Sequence, residues 1–170
     1  MMERILVIGC PGAGKSTFAR ALRDLTGLPL YYLDQIWHRP DGTQISPSAF
    51  DARLSEILRQ KRWIVDGNYL RTLELRLRHC DTVFLLDYPP SVCLMGAASR
   101  IGMPREDLPW VEETFDPEFR QCIEDFPQTQ LPQIYALLER YQAGKTVFVF
   151  RRRAEASQWL RYQTGPHCPK

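Results

Sequence analysis

Residues Gly9 to Ser16 read Gly-Cys-Pro-Gly-Ala-Gly-Lys-Ser, a complete G-x-x-x-x-G-K-[ST] spacing. The chemistry this spacing serves is phosphate binding. Backbone N–H groups of such a loop converge on phosphate oxygens, and the helix that follows adds the partial positive charge of its N-terminus. Lys15 is placed to reach the β- and γ-phosphates, and the Ser16 hydroxyl to ligate Mg²⁺. Gly9, Pro11, Gly12, Ala13, Gly14, Lys15, Ser16 and Thr17 are therefore the expected donor-site residues. Pro11 offers no N–H, so the loop has one donor fewer. Cys10, beside an anion-binding helix terminus, reads as a small filler, with a lowered thiol pKa as the alternative. At average composition the bare pattern arises by chance in roughly one chain of this length in a hundred. Here it also follows the apolar run Ile5-Leu6-Val7-Ile8 and opens a helical pattern at Lys15, which an ordinary glycine turn does not require. The chain is expected to bind a nucleoside triphosphate.

Transfer of a phosphoryl group asks for positioning and charge neutralisation more than covalent chemistry. Acidic residues at strand ends and convergent arginines are the groups to look for, because ligands of parallel α/β sheets lie beyond the carboxyl ends of the strands. Asp34 follows Tyr31-Tyr32-Leu33, Asp66 follows Trp63-Ile64-Val65, and Asp87 follows Phe84-Leu85-Leu86. Asp66 is the expected metal-side carboxylate, acting through a coordinated water. Asp34 is expected to face the acceptor as base or hydrogen-bond acceptor, and Asp87 to be structural; each could instead cap the next turn. Arg100 and Arg105 bracket the turn Ile101-Gly102-Met103-Pro104 and are the expected cations for the transferred phosphoryl group. Arg71, Arg76 and Arg78 fall along one predicted helix, with Arg76 and Arg78 read as solvated surface charge. Trp37 and His38 are read either as an acceptor pocket or as a core plug with a surface neighbour.

The elements that must position these groups are short strands alternating with helix-period segments. Strands are predicted at Arg4–Ile8, Leu30–Leu33, Trp63–Val65, Thr82–Leu86 and Thr146–Phe150, several of them continuously apolar as parallel strands covered on both faces are. Phe18, Leu22 and Leu25 fall at i, i+4 and i+7, and so do Phe50, Leu54 and Ile57, the latter after a Ser46 cap and Pro47. Ile134, Leu137, Leu138 and Tyr141 form another stripe, and Ala156, Trp159 and Leu160 a closing helix. Such alternation means a parallel sheet wrapped by helices, with the strand order left open. From Arg100 to Pro132 no strand pattern appears and prolines recur, although Asp116-Pro117 marks a helix start. This stretch is read as a lid that excludes water, or else as an excursion covering a sheet edge.

A length of 170 residues suits one domain, and 44% hydrophobic with 25% charged residues is typical of a soluble globular chain. A net charge of +2 with a single compact basic run, Arg151–Arg153, offers little for direct nucleic-acid binding. No apolar run is long enough to cross a bilayer, and no signal peptide is read before the first strand. The five cysteines lack C-x-x-C spacing and are expected to stay reduced, which with the rest points to a cytoplasmic protein. His167, Cys168 and Lys170 read as a frayed terminus rather than a metal site.

The segment Trp63-Ile64-Val65-Asp66-Gly67-Asn68-Tyr69-Leu70-Arg71, taken with the phosphate loop, resembles the apolar-Asp-Gly segment of adenylate kinases and other nucleoside monophosphate kinases. Asp66-Gly67-Asn68-Tyr69, with Leu33-Asp34 and Trp37 upstream, looks closer to the adenylate-kinase-related DNA topology modulation (FlaR-like) family. The resemblance runs from Arg4 to about Leu160. It implies an α/β P-loop NTPase fold of three layers with a five-stranded parallel sheet, an ATP and Mg²⁺ site on Gly9–Thr17, and a helical lid insertion at about 100–132. It also implies that the loop after the last strand touches the adenine base through one of Arg151, Arg152 and Arg153, with Arg151 the residue chosen and the others solvent-facing. Adenylate kinases place an aromatic, a proline and then arginine after Asp-Gly. Here Asn68, Tyr69 and Leu70 intervene, so the matching arginine is Arg71, one place later. The function implied is transfer of the γ-phosphate of ATP to a small acceptor, either a nucleotide or a hydroxyl-bearing metabolite as in shikimate- or gluconate-type kinases. The reading from a different class is a nucleotide-dependent regulator or DNA topology modulator without kinase turnover.

Overall fold

Five parallel strands form one sheet in the order β2-β3-β1-β4-β5. The computed structural model describes residues 2–164, so the reading of His167, Cys168 and Lys170 lies outside the described residues. In chain order the elements are β1 (Arg4–Gly9), α1 (Lys15–Thr26), β2 (Leu30–Tyr32), α2 (Leu33–Trp37), α3 (Pro47–Leu58) and β3 (Trp63–Asp66). Then follow a 3₁₀ turn (Leu70–Thr72), α4 (Leu73–His79), β4 (Thr82–Leu86), α5 (Pro90–Ala98), α6 (Pro117–Thr129), α7 (Leu131–Tyr141), β5 (Thr146–Phe150) and α8 (Arg153–Thr164). Helices on the sheet give the three layers.

β1 is the central strand, and Ile5 to Ile8 are fully buried. Its partners are β3, with Val7 opposite Asp66, and β4, with Gly9 opposite Leu86. This register sets Asp66, the last residue of β3, two residues short of the end of β1, where the phosphate loop begins. Alternation along the strands puts Phe84, Phe148 and Phe150 on one face. They pack with Phe18 of α1 and Trp159 of α8, at centroid distances such as 4.9 Å for Phe84–Phe148 and 4.8 Å for Phe84–Trp159. α1 is thus anchored by its buried stripe of Phe18, Ala19 and Leu22, and the phosphate loop hangs between two well-packed elements.

The predicted caps hold: Ser46 Oγ accepts the Ala49 N–H ahead of Pro47, and Asp116 accepts the Glu118 N–H ahead of Pro117. Two expectations need correction, and one gains detail. β2 ends at Tyr32, so Asp34 sits in the first turn of the short α2 rather than just past a strand. Arg71 lies on the 3₁₀ turn, separate from the helix that carries Arg76 and Arg78. The stretch without strand pattern is only half irregular: 100–116 is turns and bends, whereas α6 and α7 are regular.

α5 has no apolar period in its sequence, yet it buttresses the phosphate loop. A Cβ on Gly12 would lie 2.0 Å from the Cys93 carbonyl oxygen, and one on Gly96 would lie 2.1 Å from that of Gly12. Two backbones meet there at a distance that only glycine permits.

Candidate active site

The carboxyl ends of β1 and β3 open into a cleft of about 1050 Å³, whose walls include Gly12, Lys15, Ser16, Asp34, Asp66, Arg100 and Arg105. On the phosphate-loop side, Gly12 and Gly14 take left-handed φ values of 82° and 92°, turning the chain so that α1 starts at Lys15. The first helical amide bonded back is that of Phe18, to Gly14 O. The amides of Lys15, Ser16 and Thr17 precede it and have no intrahelical acceptor. No side chain caps this helix. Free amides at a helix N-terminus form an anion site without further help. Lys15 arches back over the loop, its Nζ 3.0 Å from Cys10 O.

Ser16 Oγ lies 2.5 Å from Asp66 Oδ2. Asp66 is 4% exposed, and its Oδ1 has no hydrogen-bond partner. Burial pushes its carboxyl up to about 6, against the lowering effects of Lys15 and the Ser16 hydrogen bond. Ser16 and Asp66 are hard oxygen donors suited to Mg²⁺, which takes few protein carboxylates together with substrate phosphates.

Across the cleft, Asp34 Oδ1 accepts from the Tyr69 hydroxyl at 2.7 Å. Tyr69 is held in turn by stacking on Phe50 at 5.3 Å, and it adopts a φ of 23°, costly for an aromatic residue. What over-determines this strained turn is Arg76. Its guanidinium is fully buried and donates to the carbonyls of Gly67, Asn68 and Tyr69 at 2.6–2.9 Å. Arg76 is therefore not the solvated charge expected of it, whereas Arg78 is exposed and pairs with Glu74. Gly67 also belongs to this device, since a Cβ there would sit 2.8 Å from that of Leu33. Asn68 faces the cleft and donates to Gln130 at 2.5 Å.

Arg100 and Arg105 both line the cleft. Arg100 makes no ion pair among the described residues, and burial with the charge of Arg105 lowers its pKa. Arg105 approaches Asp107 at 3.7 Å and Glu112 at 3.6 Å. Two predicted arginines are not brought to the cleft, and Gly9, Ala13 and Thr17 of the loop lie outside its lining. Arg71 grips Asp51 bidentately, at 3.0 and 2.7 Å, on the outer surface. Arg151 is exposed and lies 3.9 Å from Asp87, which accepts a 2.6 Å hydrogen bond from Tyr135. Arg153 instead reaches the phosphate loop, at 3.3 Å from Gly12 O. Trp37, partly buried, packs against the core on Phe50 at 5.5 Å, while His38 lines the cleft edge-on to Trp110 at 4.6 Å. Cys10 is a buried filler; its hydrogen bond with Cys93 and burial push its thiol up, opposite to the lowered alternative.

Arg76 had a legible signal, because Leu73, Arg76, Leu77 and Cys80 fall at i, i+3, i+4 and i+7 of one apolar stripe. Asp107, buried beside Ser16, had none: its neighbour is 91 residues away.

No protein-family model matches the chain. The adenylate kinase of Thermotoga maritima is 30% identical over 95 residues, which cover 54% of this chain and 42% of that protein. That of Thermotoga neapolitana is 28% identical over the same span, so the match takes in less than half the length of these curated relatives. Among solved structures, shikimate kinase from Bacteroides thetaiotaomicron superposes with a TM-score of 0.57 at 16% identity, covering 95% of this chain and 96% of that one. A gluconokinase from Sinorhizobium meliloti gives 0.57 at 16% identity, covering 95% and 89%. Five parallel strands, the phosphate loop after β1 and end-to-end superposition give this chain the fold of the P-loop kinases.

Proposed function

We propose that the chain is an ATP- and Mg²⁺-dependent phosphotransferase whose acceptor is a small molecule bearing a hydroxyl group. The observation that carries this reading is the facing of unlike groups across one cleft: free loop amides, Lys15, Ser16 and Asp66 on one wall, Asp34 on the other, and Arg100 and Arg105 from the 100–116 segment. The loop amides and Lys15 would hold the donor phosphates, and Ser16 and Asp66 would hold Mg²⁺, which would supply charge neutralisation. The acceptor oxygen attacks the γ-phosphorus as the bond to the β–γ bridging oxygen breaks. Asp34 takes the hydroxyl proton, and ADP leaves. Arg100 and Arg105 meet the charge on the transferred group, so that 100–116 serves as the lid.

A hydroxyl acceptor is favoured over a nucleoside monophosphate by the cations that are missing from the acceptor wall. A monophosphate needs arginines free to grip it. Arg71 is spent on Asp51 outside the cleft, and Arg76 is spent on three carbonyls beneath it. Adenylate kinase similarity over half the chain supports the donor site equally under either acceptor. No helix among the described residues is long and apolar enough to cross a membrane, in keeping with a proposed cytoplasmic, metabolite-level role as a single kinase domain.

The test is ATP consumption with Mg²⁺ across a panel of nucleoside monophosphates and small hydroxylated metabolites. We expect turnover with a hydroxyl acceptor, reduced about 10³-fold in Lys15→Ala. That variant keeps its melting temperature, because Lys15 bonds only a loop carbonyl. Turnover with monophosphates alone moves the acceptor assignment, and turnover unaffected by Lys15→Ala removes the mechanism.

A further inference from the structure

Ser16 Oγ is approached by two carboxylates, not one. Asp107 Oδ2 stands 3.0 Å from it, and Asp107 is 5% exposed. A serine hydroxyl owns one proton and can donate to one of these oxygens at a time. The second carboxylate therefore meets the hydroxyl lone pair to lone pair. Asp66 Oδ1, more than nine-tenths buried and lining the cleft, has no partner at all. The nearest cations do not resolve this. Lys15 Nζ is turned to Cys10 O, and Arg105 Nε is 3.7 Å from the other Asp107 oxygen, beyond hydrogen-bonding distance. Buried oxygens in excess of protons and cations are costly unless a cation joins them, and hard oxygens from a hydroxyl and carboxylates suit a divalent ion.

The segment that delivers Asp107 is clamped at the adjacent residue. Glu106 Oε1 accepts from Arg23 of α1 at 2.7 Å and from the Tyr32 hydroxyl at 3.1 Å, and its backbone carbonyl accepts from the Gln35 side chain. Three elements, α1, β2 and α2, thus hold one residue of the segment next to these oxygens. Behind it the segment is closed on itself by the Gly102 N–H to Glu112 O hydrogen bond at 2.7 Å.

We propose that Asp107 is a second carboxylate of the divalent-cation site, brought to Ser16 and Asp66 by the 100–116 segment, with Glu106 as its positioning residue. The proposal rests on the donor-site reading above. It makes metal occupancy and seating of the segment one event: the cation is complete only when the segment is docked, and the segment is held down by the cation. An arginine from the same segment then arrives with the metal rather than independently of it.

The experiment measures affinity for the non-hydrolysable analogue adenosine 5′-(β,γ-imido)triphosphate, with Mn²⁺ and in EDTA, on the full chain and its variants. In the native protein Mn²⁺ tightens analogue binding. In Asp107→Asn that metal-dependent gain falls about tenfold, while binding in EDTA is unchanged or tighter, because one carboxylate repelling the phosphates is gone. Glu106→Ala lowers the gain in the same direction by a smaller factor, and Glu106→Gln, which still accepts from Arg23 and Tyr32, restores it. A gain in Asp107→Asn within twofold of native, while Asp66→Asn loses it, overturns the proposal and leaves the donor site standing. Equal weakening with and without metal also overturns it, since that is the mark of a structural residue. Failure of the native protein to bind the analogue at all removes the donor-site reading, and the proposal with it.

Discussion

The two walls of the cleft are built by different means. The proposed donor wall is local and made largely of backbone: an eight-residue loop, the amides of one helix start, and Gly12 pressed against α5, where an added Cβ would meet Cys93 O at 2.0 Å. The acceptor wall is assembled from side chains distant in sequence. Asp34 meets Tyr69 from 35 residues away, Asn68 meets Gln130 from 62, and the turn they share is kept in an unfavourable conformation by Arg76. Backbone amides recognise any phosphate, so the donor wall needs little variation among related chains. Side chains on a strained turn decide what else may enter, which is where such a fold acquires a particular substrate.

The largest effect that separates the walls is expected at Asp34. If it is the base, Asp34→Asn lowers kcat by about 10²–10⁴-fold while ATP affinity is kept. The amide still offers an oxygen to the Tyr69 hydroxyl, so the turn and the fold survive. Steady-state kinetics with the acceptor found in the panel, beside a nucleotide titration, separate the two. A fall below threefold in kcat reduces Asp34 to a contact residue.

Arg76→Met comes next, and acts through stability. It leaves the carbonyls of Gly67, Asn68 and Tyr69 without the buried donor that now serves all three. Unsatisfied buried acceptors cost about 1–3 kcal/mol each, and relaxation of the turn recovers part of this, so a loss of about 3 kcal/mol is expected in denaturant melts. Tyr69 should leave its left-handed φ once released, weakening acceptor binding more than nucleotide binding. If nucleotide affinity falls equally, the two walls are coupled through β3 and the division drawn here is too sharp.

How much of this was open to reading in the chain follows the same division. β1 and β4 are buried on both faces and so read as apolar runs, and the loop between β1 and α1 carries its own spacing. Ser46 and Asp116 announce their helices because capping is a contact within three residues. α5 carries no legible period because Cys93 and Ala97 are buried while Met95 is exposed, too few large residues to mark a face. At Arg76 charge points outward and periodicity inward, and its position on the Leu73–Leu77 stripe is the signal that holds. Asp107 and Glu106 could not be read, since what gives them meaning is contact with Ser16, Arg23 and Tyr32 across more than seventy residues.

The smallest effect is expected at Arg71, and it bears directly on what the acceptor is. Alignment by its neighbours makes Arg71 the counterpart of a phosphate-gripping arginine, displaced by one residue. One residue along a turn of this tightness rotates a side chain by roughly a third of a circle. Arg71 is accordingly turned outward, its guanidinium spread over both oxygens of Asp51 and 6.0 Å from the centre of the Phe50 ring. Both partners of this ion pair are about half exposed, so its contribution stays below about 1 kcal/mol. Arg71→Ala should therefore leave kcat and acceptor KM within twofold and the melting temperature nearly unchanged. A tenfold rise in acceptor KM would mean that Arg71 abandons Asp51 and swings into the cleft when substrate enters. Asp51→Asn distinguishes the two cases further: if Arg71 is a surface ion pair and nothing more, freeing it changes neither constant, whereas an arginine competed for by Asp51 and an acceptor phosphate would bind that phosphate more tightly once released.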